Sequence, residues 1–374
     1  MSFNPKNWRV TLPVFKPSEV MDYSENSEYG VCPRRGFYKY GMRRGFSHAP
    51  VKIEETVLKG KLEFPHRIPE LEDPSAKKDK NYAIQWGLAY HKYRELVEVK
   101  CEELGTGINN EIHNEAVSKS LLGWEDPPIG HKHEHLKKYR MIVAMNIARK
   151  RIEEEQRTGK VKVTRSEEPF DLEMDWWICL NCGFTYWTEQ EDCNYCGSTH
   201  LLRARHGGRV DQHIIFQALN NAKMIRDFKT TQYMGKTYDK KFDPNGQIQG
   251  YVWSGEKLSG RRFEGALIET LYTTKTVGPE IHQTYVTYSP GQQEAWEASM
   301  MMERQLIMSM WARVEELGFL AFPMRTTACP AFGGCPYREA CRSSSGWEIE
   351  QWLENYTIYS HWDFTNPDLE ESVL

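Results

Sequence analysis

Two pairs of cysteines constrain the folding of this chain more than any other feature of its sequence. The stretch CLNCGFTYWTEQEDCNYCGS contains Cys179 and Cys182, then Cys193 and Cys196 after ten residues, and a glycine follows each pair. Each C-x-x-C turn directs two thiolates at one ion, so the two turns supply the four ligands of a tetrahedral zinc site. Such a site has no open coordination position, so we expect Zn²⁺ to stabilise a small zinc ribbon, residues 178–200, inserted in a larger fold.

The rest of the sequence is typical of a globular protein. The chain has 374 residues, of which 40% are hydrophobic, and this is enough to bury a large core. No apolar run approaches the length of a membrane-spanning helix and the amino terminus has no secretory signal, so we expect a cytoplasmic protein without a membrane partner. Seven of the nine cysteines fall in two clusters with metal-ligand spacing, which is typical of a reducing compartment.

A basic segment suggests a nucleic-acid partner. The net charge of −4 gives no global attraction for nucleic acid, so binding would depend on local patches. The segment PRRGFYKYGMRRG, residues 33–45, carries five basic residues and no acidic one, and its aromatic residues lie between them. In such a segment the basic residues could pair with phosphates and the aromatic residues could stack on bases. The alternative is a solvated basic surface.

Periodicity predicts an α/β fold. We expect helices over 81–104, about 135–156 and 290–317, and strands over about 161–177, 203–216, 223–230, 262–275 and 281–288. Helices that flank a short mixed sheet form an α/β architecture. Because prolines interrupt residues 1–30, we expect an extended N-terminal extension, and we expect the acidic end of 346–374 to be a mobile C-terminal tail.

Two acidic residues and a lysine lie on consecutive predicted strands just after the ribbon. Asp211 is in HGGRVDQHIIF, and Asp227 and Lys229 are in KMIRDFKTTQY. Asp227 and Lys229 share one face of their strand, and pairing of the two strands would bring Asp211 close to Asp227. Carboxylates suit Mg²⁺ or Mn²⁺, and a lysine can orient a water or stabilise charge on a phosphate. Solvated residues on surface strands are the alternative.

Residues on two predicted helices extend this set. Gln247 and Tyr251 are four positions apart, so on a helix they share a face that can reach the lysine and a phosphate. His91 follows Gly87 by four positions in GLAYH, where the glycine allows a close approach of the backbone. A core histidine is the alternative interpretation of His91.

The order of these motifs resembles a known family. Cys-Pro-Arg-Arg, G-x-x-x-H, G-x-x-D, D-x-K-T, Q-x-x-x-Y and a terminal cysteine cluster follow one another along the chain. This order is similar to that of the RecB-like PD-(D/E)XK nucleases, specifically the iron-sulfur members that include the CRISPR-associated exonucleases and AddAB-type nuclease domains. The resemblance covers residues 31–345, in which the ribbon is an insertion. It implies a restriction-endonuclease-like mixed sheet flanked by helices.

The resemblance also implies roles for the matching residues. It implies four ligands for a catalytic Mg²⁺ or Mn²⁺: His91, Asp211, Asp227 and the backbone carbonyl of Phe228. Lys229 would position the attacking water and stabilise developing negative charge. Gln247 and Tyr251 would support Lys229 and the DNA strand.

Three evenly spaced cysteines in ACPAFGGCPYREAC, namely Cys329, Cys335 and Cys341, need a fourth thiolate to close a metal site. Cys101 falls on the apolar stripe of the first helix, so we expect a buried apolar side chain. Cys32 lies in EYGVCPRRGFYKY, the setting in which the iron-sulfur nucleases carry their first cluster cysteine. Four thiolates from distant segments suit a 4Fe-4S cluster better than zinc, whose knuckles come as close pairs. A second zinc or free thiols are the alternatives.

The leading expectation is a metal-dependent DNA exonuclease. It would act on single strands or duplex ends in recombination, repair or phage DNA processing, with recombination or replication proteins as further partners. The alternative is a catalytically silent nucleic-acid-binding or assembly subunit with the same fold. A zinc-ribbon module of transcription or replication is a third interpretation, and it would leave the ordered motifs unexplained.

Overall fold

Two compact units make up the chain in the computed structural model. The structure describes residues 8, 10, 20–21, 23–42, 44–45, 57–58, 61–62, 82–329, 335–343, 345–354 and 357–358. One unit, here the ribbon unit, comprises 1–80, 171–207 and 297–374, and the other, the carboxylate unit, comprises 81–170 and 208–296. Among the described residues, no helix has the length and apolar character needed to cross a membrane.

Helices combine with a mixed, mostly antiparallel sheet, which confirms the predicted α/β class. The helices are α1 (Tyr23–Val31), α2 (Pro33–Gly36), α3 (Tyr82–Leu104), α4 (Asn110–Ser120), α5 (Lys138–Thr158), α6 (Gly246–Ser259), α7 (Pro290–Trp311), α8 (Val314–Leu317), α9 (Arg338–Arg342) and α10 (Gly346–Glu354). The strands are β1 (Val20–Met21), β2 (Arg44–Gly45), β3 (Val57–Leu58), β4 (Lys61–Leu62), β5 (Val161–Cys179), β6 (Thr185–Tyr186), β7 (Leu201–Phe216), β8 (Ala222–Thr231), β9 (Gly265–Tyr272), β10 (Glu280–Thr287) and β11 (Thr357–Ile358). The five predicted strands are confirmed as β5, β7, β8, β9 and β10, with ends shifted by a few residues.

Strand pairing in the carboxylate unit fixes the acidic residues relative to one another. There β7 pairs antiparallel with β8, β8 pairs parallel with β9, and β9 pairs antiparallel with β10. Parallel neighbours need a crossover connection, and α6 lies in the one between β8 and β9. Helix α6 begins where the Asn245 side chain accepts a hydrogen bond from the Ile248 amide, and it ends at Gly260, whose φ is 61°.

The helices α3, α4 and α5 form the main apolar core of the carboxylate unit. The predicted stripe on α3 is buried at five of its six positions, namely Trp86, Tyr90, Tyr93, Val97 and Cys101. Leu104, at the end of the helix, is exposed. Phe228 of β8 and Leu271 of β9 pack into the same core. The prediction that Cys101 is a buried apolar residue is therefore confirmed.

Two aromatic residues of the basic segment 33–45, Phe37 and Tyr38, pack inside the ribbon unit and are not available to stack on bases, whereas binding of a nucleic acid by the rest of the segment stays a prediction. Phe37 and Tyr38 are 0% exposed, and the ring of Phe37 stacks on that of Phe322 with centroids 4.0 Å apart. The guanidinium of Arg34 is buried and donates to the backbone carbonyls of Phe322 and Phe319. An alternation of basic and aromatic residues does not reveal which side chains the core will bury.

The side chains of Arg35 and Lys39 are likewise already engaged. Arg35 lies 2.6 Å from Glu28 and Lys39 lies 3.0 Å from the same carboxylate. Both ion pairs lie within the ribbon unit. The side chains of Arg43 and Arg44 lie outside the described residues.

The sequence predicts an extended segment at the amino end of the chain and a mobile tail at the carboxyl end. The described parts of both segments contain a helix instead. Residues 23–31 form helix α1 rather than an extended segment, because Tyr29 enters the core of the ribbon unit. Helix α10, within the predicted tail, also places Ile349 and Leu353 in that core. Most of residues 1–22 and the acidic end 366–374 lie outside the described residues.

The predicted helix over 290–317 is α7 followed by α8, with a break at Ala312 and Arg313.

Candidate functional site

Asp211, Asp227 and Lys229 come together in the carboxylate unit. The β7–β8 ladder pairs Gln212 with Arg226, so the next positions along it are Asp211 and Asp227. Oδ2 of Asp211 accepts a hydrogen bond from the Phe228 amide at 2.6 Å. The Lys229 ammonium lies 3.0 Å from Oδ1 and 2.9 Å from Oδ2 of Asp227. The period of two along β8 thus places Asp227 and Lys229 on one face, as predicted.

A chain of side chains extends from Lys229 to helix α6. Oε1 of Gln247 accepts a hydrogen bond from the Lys229 ammonium at 3.3 Å, and Nε2 of Gln247 donates to the Tyr251 hydroxyl at 2.9 Å. Gln247 and Tyr251 share one face of α6 because they are four residues apart. Gln247 thus contacts the lysine directly and Tyr251 contacts it only through Gln247, and the contact of both residues with a DNA strand stays a prediction.

His91 of α3 borders the two carboxylates. Its Nδ1 lies 3.7 Å from Oδ2 of Asp211, and its ring packs edge-on against Phe228 with centroids 6.0 Å apart. Gly87, one turn earlier, permits this approach, because a Cβ there would lie 3.2 Å from Oγ1 of Thr230 on β8. All seven residues predicted for the nuclease site therefore lie in one region of the carboxylate unit.

Burial and mutual charge shift the pKa values of this site. The pKa of Asp227 is raised, chiefly by burial. The charge of Lys229 opposes this shift, and the nearby Asp211 carboxylate adds to it. Burial disfavours the ammonium of Lys229, but the two carboxylates hold its pKa above the ordinary value. Burial and the charge of Lys229 lower the pKa of His91 to about 4, so its imidazole is neutral at pH 7 and can act as a ligand.

Glu167 is a further member of this acidic group that the sequence analysis missed. It lies on β5 with a left-handed φ of 49°, a conformation that glutamate rarely adopts within a strand. Burial, and then the charges of Asp211 and Glu95, raise its pKa to about 9, so this carboxyl holds its proton at neutral pH. The only signal in the sequence is a pair of glutamates before Pro169, and this is too common a pattern to identify a site.

The chemistry of this group fits a hard divalent cation. Asp227 is 2% exposed, and both of its carboxylate oxygens lie within 3.0 Å of the Lys229 ammonium. A buried carboxylate beside a second carboxylate and an imidazole offers the oxygen and nitrogen ligands that suit Mg²⁺ or Mn²⁺. His91, Asp211 and Asp227 do not converge to within 4.8 Å, so one shared ion would require rotation of their side chains.

The four ribbon cysteines do converge. Their four sulfur atoms all lie within 4.8 Å of one another, so the group could hold a metal ion. No other group of three or more such ligands meets this distance in the part of the chain that the structure describes. Sγ of Cys179 lies 3.7 Å from that of Cys196, and Sγ of Cys182 lies 3.5 Å from that of Cys193. The ribbon falls between β5 and β7, as the sequence predicts. Four thiol ligands at this spacing form a metal-binding group, and the predicted metal is zinc.

Glycines and hydrogen bonds shape the two knuckles of the ribbon. Gly183 and Gly197 have φ of 80° and 70°, and each amide donates to the carbonyl of the first cysteine of its pair, at 2.8 and 2.7 Å. Although burial opposes it, a hydrogen bond with Tyr186 and backbone amides lower the pKa of Cys193 to about 6. The lowered pKa favours the thiolate of Cys193, which is the form that ligates a metal, whereas burial raises the pKa of Cys179 and Cys182.

The four thiols predicted for an iron-sulfur cluster are neighbours in the ribbon unit. Burial raises the pKa of Cys335, and the charges of Cys329 and Cys32 raise it further. Burial raises the pKa of Cys341 to about 11, against the opposing charge of Arg34. Because cluster thiolates bind different iron atoms, they need not converge as closely as the ligands of a single ion. Of these four cysteines Cys32 is buried and the other three are partly exposed, and the iron-sulfur cluster stays a prediction.

Comparisons with known proteins identify no relative. No protein-family model matches the chain, and no curated protein matches it. The function must therefore be argued from the residues and their geometry.

Proposed function

We propose that the chain is a Mg²⁺- or Mn²⁺-dependent deoxyribonuclease of the RecB-like PD-(D/E)XK type. The observation that carries the proposal is the contact between the Lys229 ammonium and Asp227, beside Asp211, with Gln247 bound to the same lysine. A solvated D-x-K triplet would have no reason to be buried or to be bridged to a helix. The same residues are part of the ordered motifs that resemble this nuclease family.

The reaction would be in-line hydrolysis of a phosphodiester bond. The ligands of the ion would be His91, Asp211, Asp227 and the backbone carbonyl of Phe228, with a restriction-endonuclease-like sheet behind them. The bound ion would polarise the phosphate and lower the pKa of a water molecule. Lys229 would contribute charge rather than act as a base, because the neighbouring carboxylates favour its ammonium form. Gln247, linked to Tyr251, would fix the direction of that ammonium.

We further propose two structural metal centres in the ribbon unit. Zn²⁺ would occupy the four ribbon cysteines, and a 4Fe-4S cluster would be held by Cys32, Cys329, Cys335 and Cys341. A protein purified without oxygen should then be brown and contain both iron and zinc. A colourless, iron-free preparation would contradict the cluster and leave the nuclease proposal intact.

The test of the nuclease is the degradation of DNA labelled at either end. We expect loss of labelled single-stranded DNA with Mn²⁺, and we expect Lys229→Ala to lower the rate by at least about a hundredfold, since it removes charge stabilisation of the transition state. Lys162→Ala, an exposed lysine on β5 of the same unit, is the matched control. Equal rates for Lys229→Ala and the natural protein would reject the catalytic assignment.

Use of both labels also reports the polarity of the reaction. A protein that binds the oligonucleotide and leaves both ends intact at every Mn²⁺ concentration would instead support the catalytically silent subunit.

A further inference from the structure

A lysine outside the predicted motifs lies close to the carboxylate site. In the β8–β9 ladder Lys229 is opposite Thr270, and residues directly opposite each other project from the same face of a sheet. The hydroxyl of Tyr238 donates a hydrogen bond to Oγ1 of Thr270 at 3.2 Å. The ammonium of Lys241 lies over the ring of the same tyrosine, 3.7 Å from its centroid. The register of the sheet and these two contacts place a second lysine near Lys229.

The charges of the site act on Lys241. Partial burial lowers the pKa of this lysine and the charge of Lys229 lowers it further, whereas the Asp227 carboxylate opposes the shift. Interactions between charges weaken with distance and are screened by water, so Lys241 lies within electrostatic reach of both residues. The side chain of Lys241 is nevertheless exposed, so a ligand in solution can reach its ammonium.

Aromatic packing and hydrogen bonds fix the segment that carries Lys241. Lys241 and Phe242 lie in a single turn of 3₁₀ helix. The buried rings of Tyr238 and Phe242 pack edge-on with centroids 5.5 Å apart. The Tyr288 hydroxyl donates to the backbone carbonyl of Phe242 at 2.7 Å, and the Asn245 side chain donates to that of Lys241 at 3.1 Å. The ammonium is therefore held in place on a fixed aromatic surface.

The charge of Lys241 is not neutralised by a neighbouring acid. In the described part of the chain, no carboxylate forms an ion pair with its ammonium. Asp239, in the same turn, instead accepts a hydrogen bond from the Thr284 hydroxyl. Lys229, by contrast, contacts Asp227. Since two carboxylates would repel an approaching phosphate, an exposed cation beside them offsets that repulsion.

We propose that Lys241 binds the phosphate next to the scissile one on the substrate strand. This inference rests on the proposed deoxyribonuclease function and adds a binding group to that site. Lys229 would act on the scissile phosphate, and Lys241 would pair with its neighbour and hold the strand in position. Such a contact carries no sequence information, because every phosphate is alike. It is also present before the reaction and in the transition state, so it should affect KM rather than kcat.

Steady-state degradation of labelled single-stranded DNA with Mn²⁺ tests this contact. We expect Lys241→Ala to raise KM about tenfold and to leave kcat within about twofold of the natural value. Lys240→Ala removes the same charge from the adjacent exposed position and should leave both constants within about twofold. Lys241→Arg retains the charge and should restore most of the lost KM. Thermal unfolding verifies that each variant is folded.

The salt dependence of binding provides a second measurement, which a merely structural role of Lys241 would not change. Ca²⁺, which carboxylates also bind, replaces Mn²⁺ to limit hydrolysis, and the Kd for the same strand is measured at several salt concentrations. Each phosphate contact with a single strand contributes about 0.7 to the slope of log Kd against log salt concentration. We expect Lys241→Ala to lower the slope by about this amount and Lys240→Ala to leave it unchanged.

The outcomes distinguish this inference from the nuclease proposal. If the natural protein degrades DNA and Lys241→Ala keeps both its KM and its salt slope, only the inference about Lys241 fails. A fall in kcat as large as that of Lys229→Ala would also overturn it, because Lys241 would then act on the scissile phosphate. If the natural protein binds the strand without degrading it, the nuclease proposal fails, and the salt slope still decides whether Lys241 binds a phosphate. A protein that neither binds nor degrades the strand would refute both.

Discussion

Glu167 is the residue whose ionisation the carboxylate site suppresses most clearly. Its pKa is raised to about 9, whereas in an unfolded chain it would ionise with the ordinary value of 4.5. Between these values the unfolded chain has lost the proton and the native protein still holds it. The free energy of unfolding therefore falls as pH rises through this window.

The substitution Glu167→Gln removes this titration. We expect the variant to gain stability relative to the natural protein as pH rises from 5 to 8, by roughly 2 kcal/mol after allowance for solvent screening. Denaturant unfolding at the two pH values, with a chelator present, measures the difference. Glu102→Gln, at an exposed position of α3, is the control. A difference that does not change with pH would show that Glu167 ionises normally.

Sequence periodicity predicted the central residues of the site but not Glu167. Asp227 and Lys229 share a face because strands have a period of two, and Gln247 and Tyr251 share one because helices have a period near four. The position of Glu167 depends on a left-handed φ within a strand, which no pattern encodes. The sequence also suggested that Phe37 and Tyr38 are exposed and free to stack on bases, whereas both are buried. A local alternation of residue types does not specify which residues distant in sequence will cover a side chain.

At the scale of elements, a buried ion-pair network ties α3 to β9. Glu269 is fully buried, pairs with the Arg94 guanidinium, and accepts a hydrogen bond from the Tyr90 hydroxyl at 3.1 Å. Arg94 also lies over the Phe228 ring, 4.4 Å from its centroid. Since Glu269 is opposite Phe228 in the β8–β9 ladder, this network supports the strand that carries the candidate site.

Removal of the Glu269 charge should be strongly destabilising. Glu269→Gln removes the nearest counter-charge of the buried Arg94 and leaves it only the more distant Glu98, 3.6 Å away, so we expect the substitution to lower the free energy of unfolding by about 3 kcal/mol. Glu264→Gln affects a half-exposed pair with Arg262 and should change stability by at most about 1 kcal/mol. Chemical denaturation of both variants measures this contrast. If both variants lose similarly little free energy of unfolding, solvent or a rearrangement of side chains must compensate the charge of Arg94 in Glu269→Gln.

The two knuckle glycines offer a matched pair within the ribbon. Both have positive φ, but a Cβ at Gly183 would clash with α7, whereas a Cβ at Gly197 has no atom within 4 Å. We expect Gly197→Ala to cost about 1 kcal/mol from backbone strain alone. Gly183→Ala should cost roughly 1–3 kcal/mol more because the knuckle must move from the helix. Thermal unfolding and zinc retention of the two variants test this difference. Equal losses of stability would show that the knuckle at Gly183 does not pack closely against α7.

At the scale of the whole molecule, the element types were largely predictable and the division into units was not. The strands from β5 to β10 follow from alternation and turn residues, and the ribbon follows from cysteine spacing. The sequence predicts one core, 31–345, whereas the chain begins in the ribbon unit with 1–80 and returns to it twice, through 171–207 and 297–374. Such returns depend on contacts between residues far apart in sequence, for example between Arg34 and Phe322, which periodicity cannot reveal.

The proposed cluster makes a prediction about how the ends of the ribbon unit are held together. Cys32 begins α2, and its Sγ accepts a hydrogen bond from the Arg325 amide at 3.5 Å. A metal centre that joins residue 32 to 329–341 would close a very long loop. A crosslink of that span stabilises a fold by roughly 4 kcal/mol through the entropy of the unfolded chain.

Cys32→Ser and Cys101→Ser separate this effect from the loss of a buried thiol. Both cysteines are buried, but Cys101 lies among apolar residues of α3 in the carboxylate unit. We expect Cys32→Ser to lose iron, lose visible absorption and unfold at a lower temperature, with zinc unchanged. Cys101→Ser should keep its iron and lose only the stability that follows from burying a hydroxyl. Full iron content in Cys32→Ser would exclude Cys32 as a ligand and leave the cluster without its fourth thiolate.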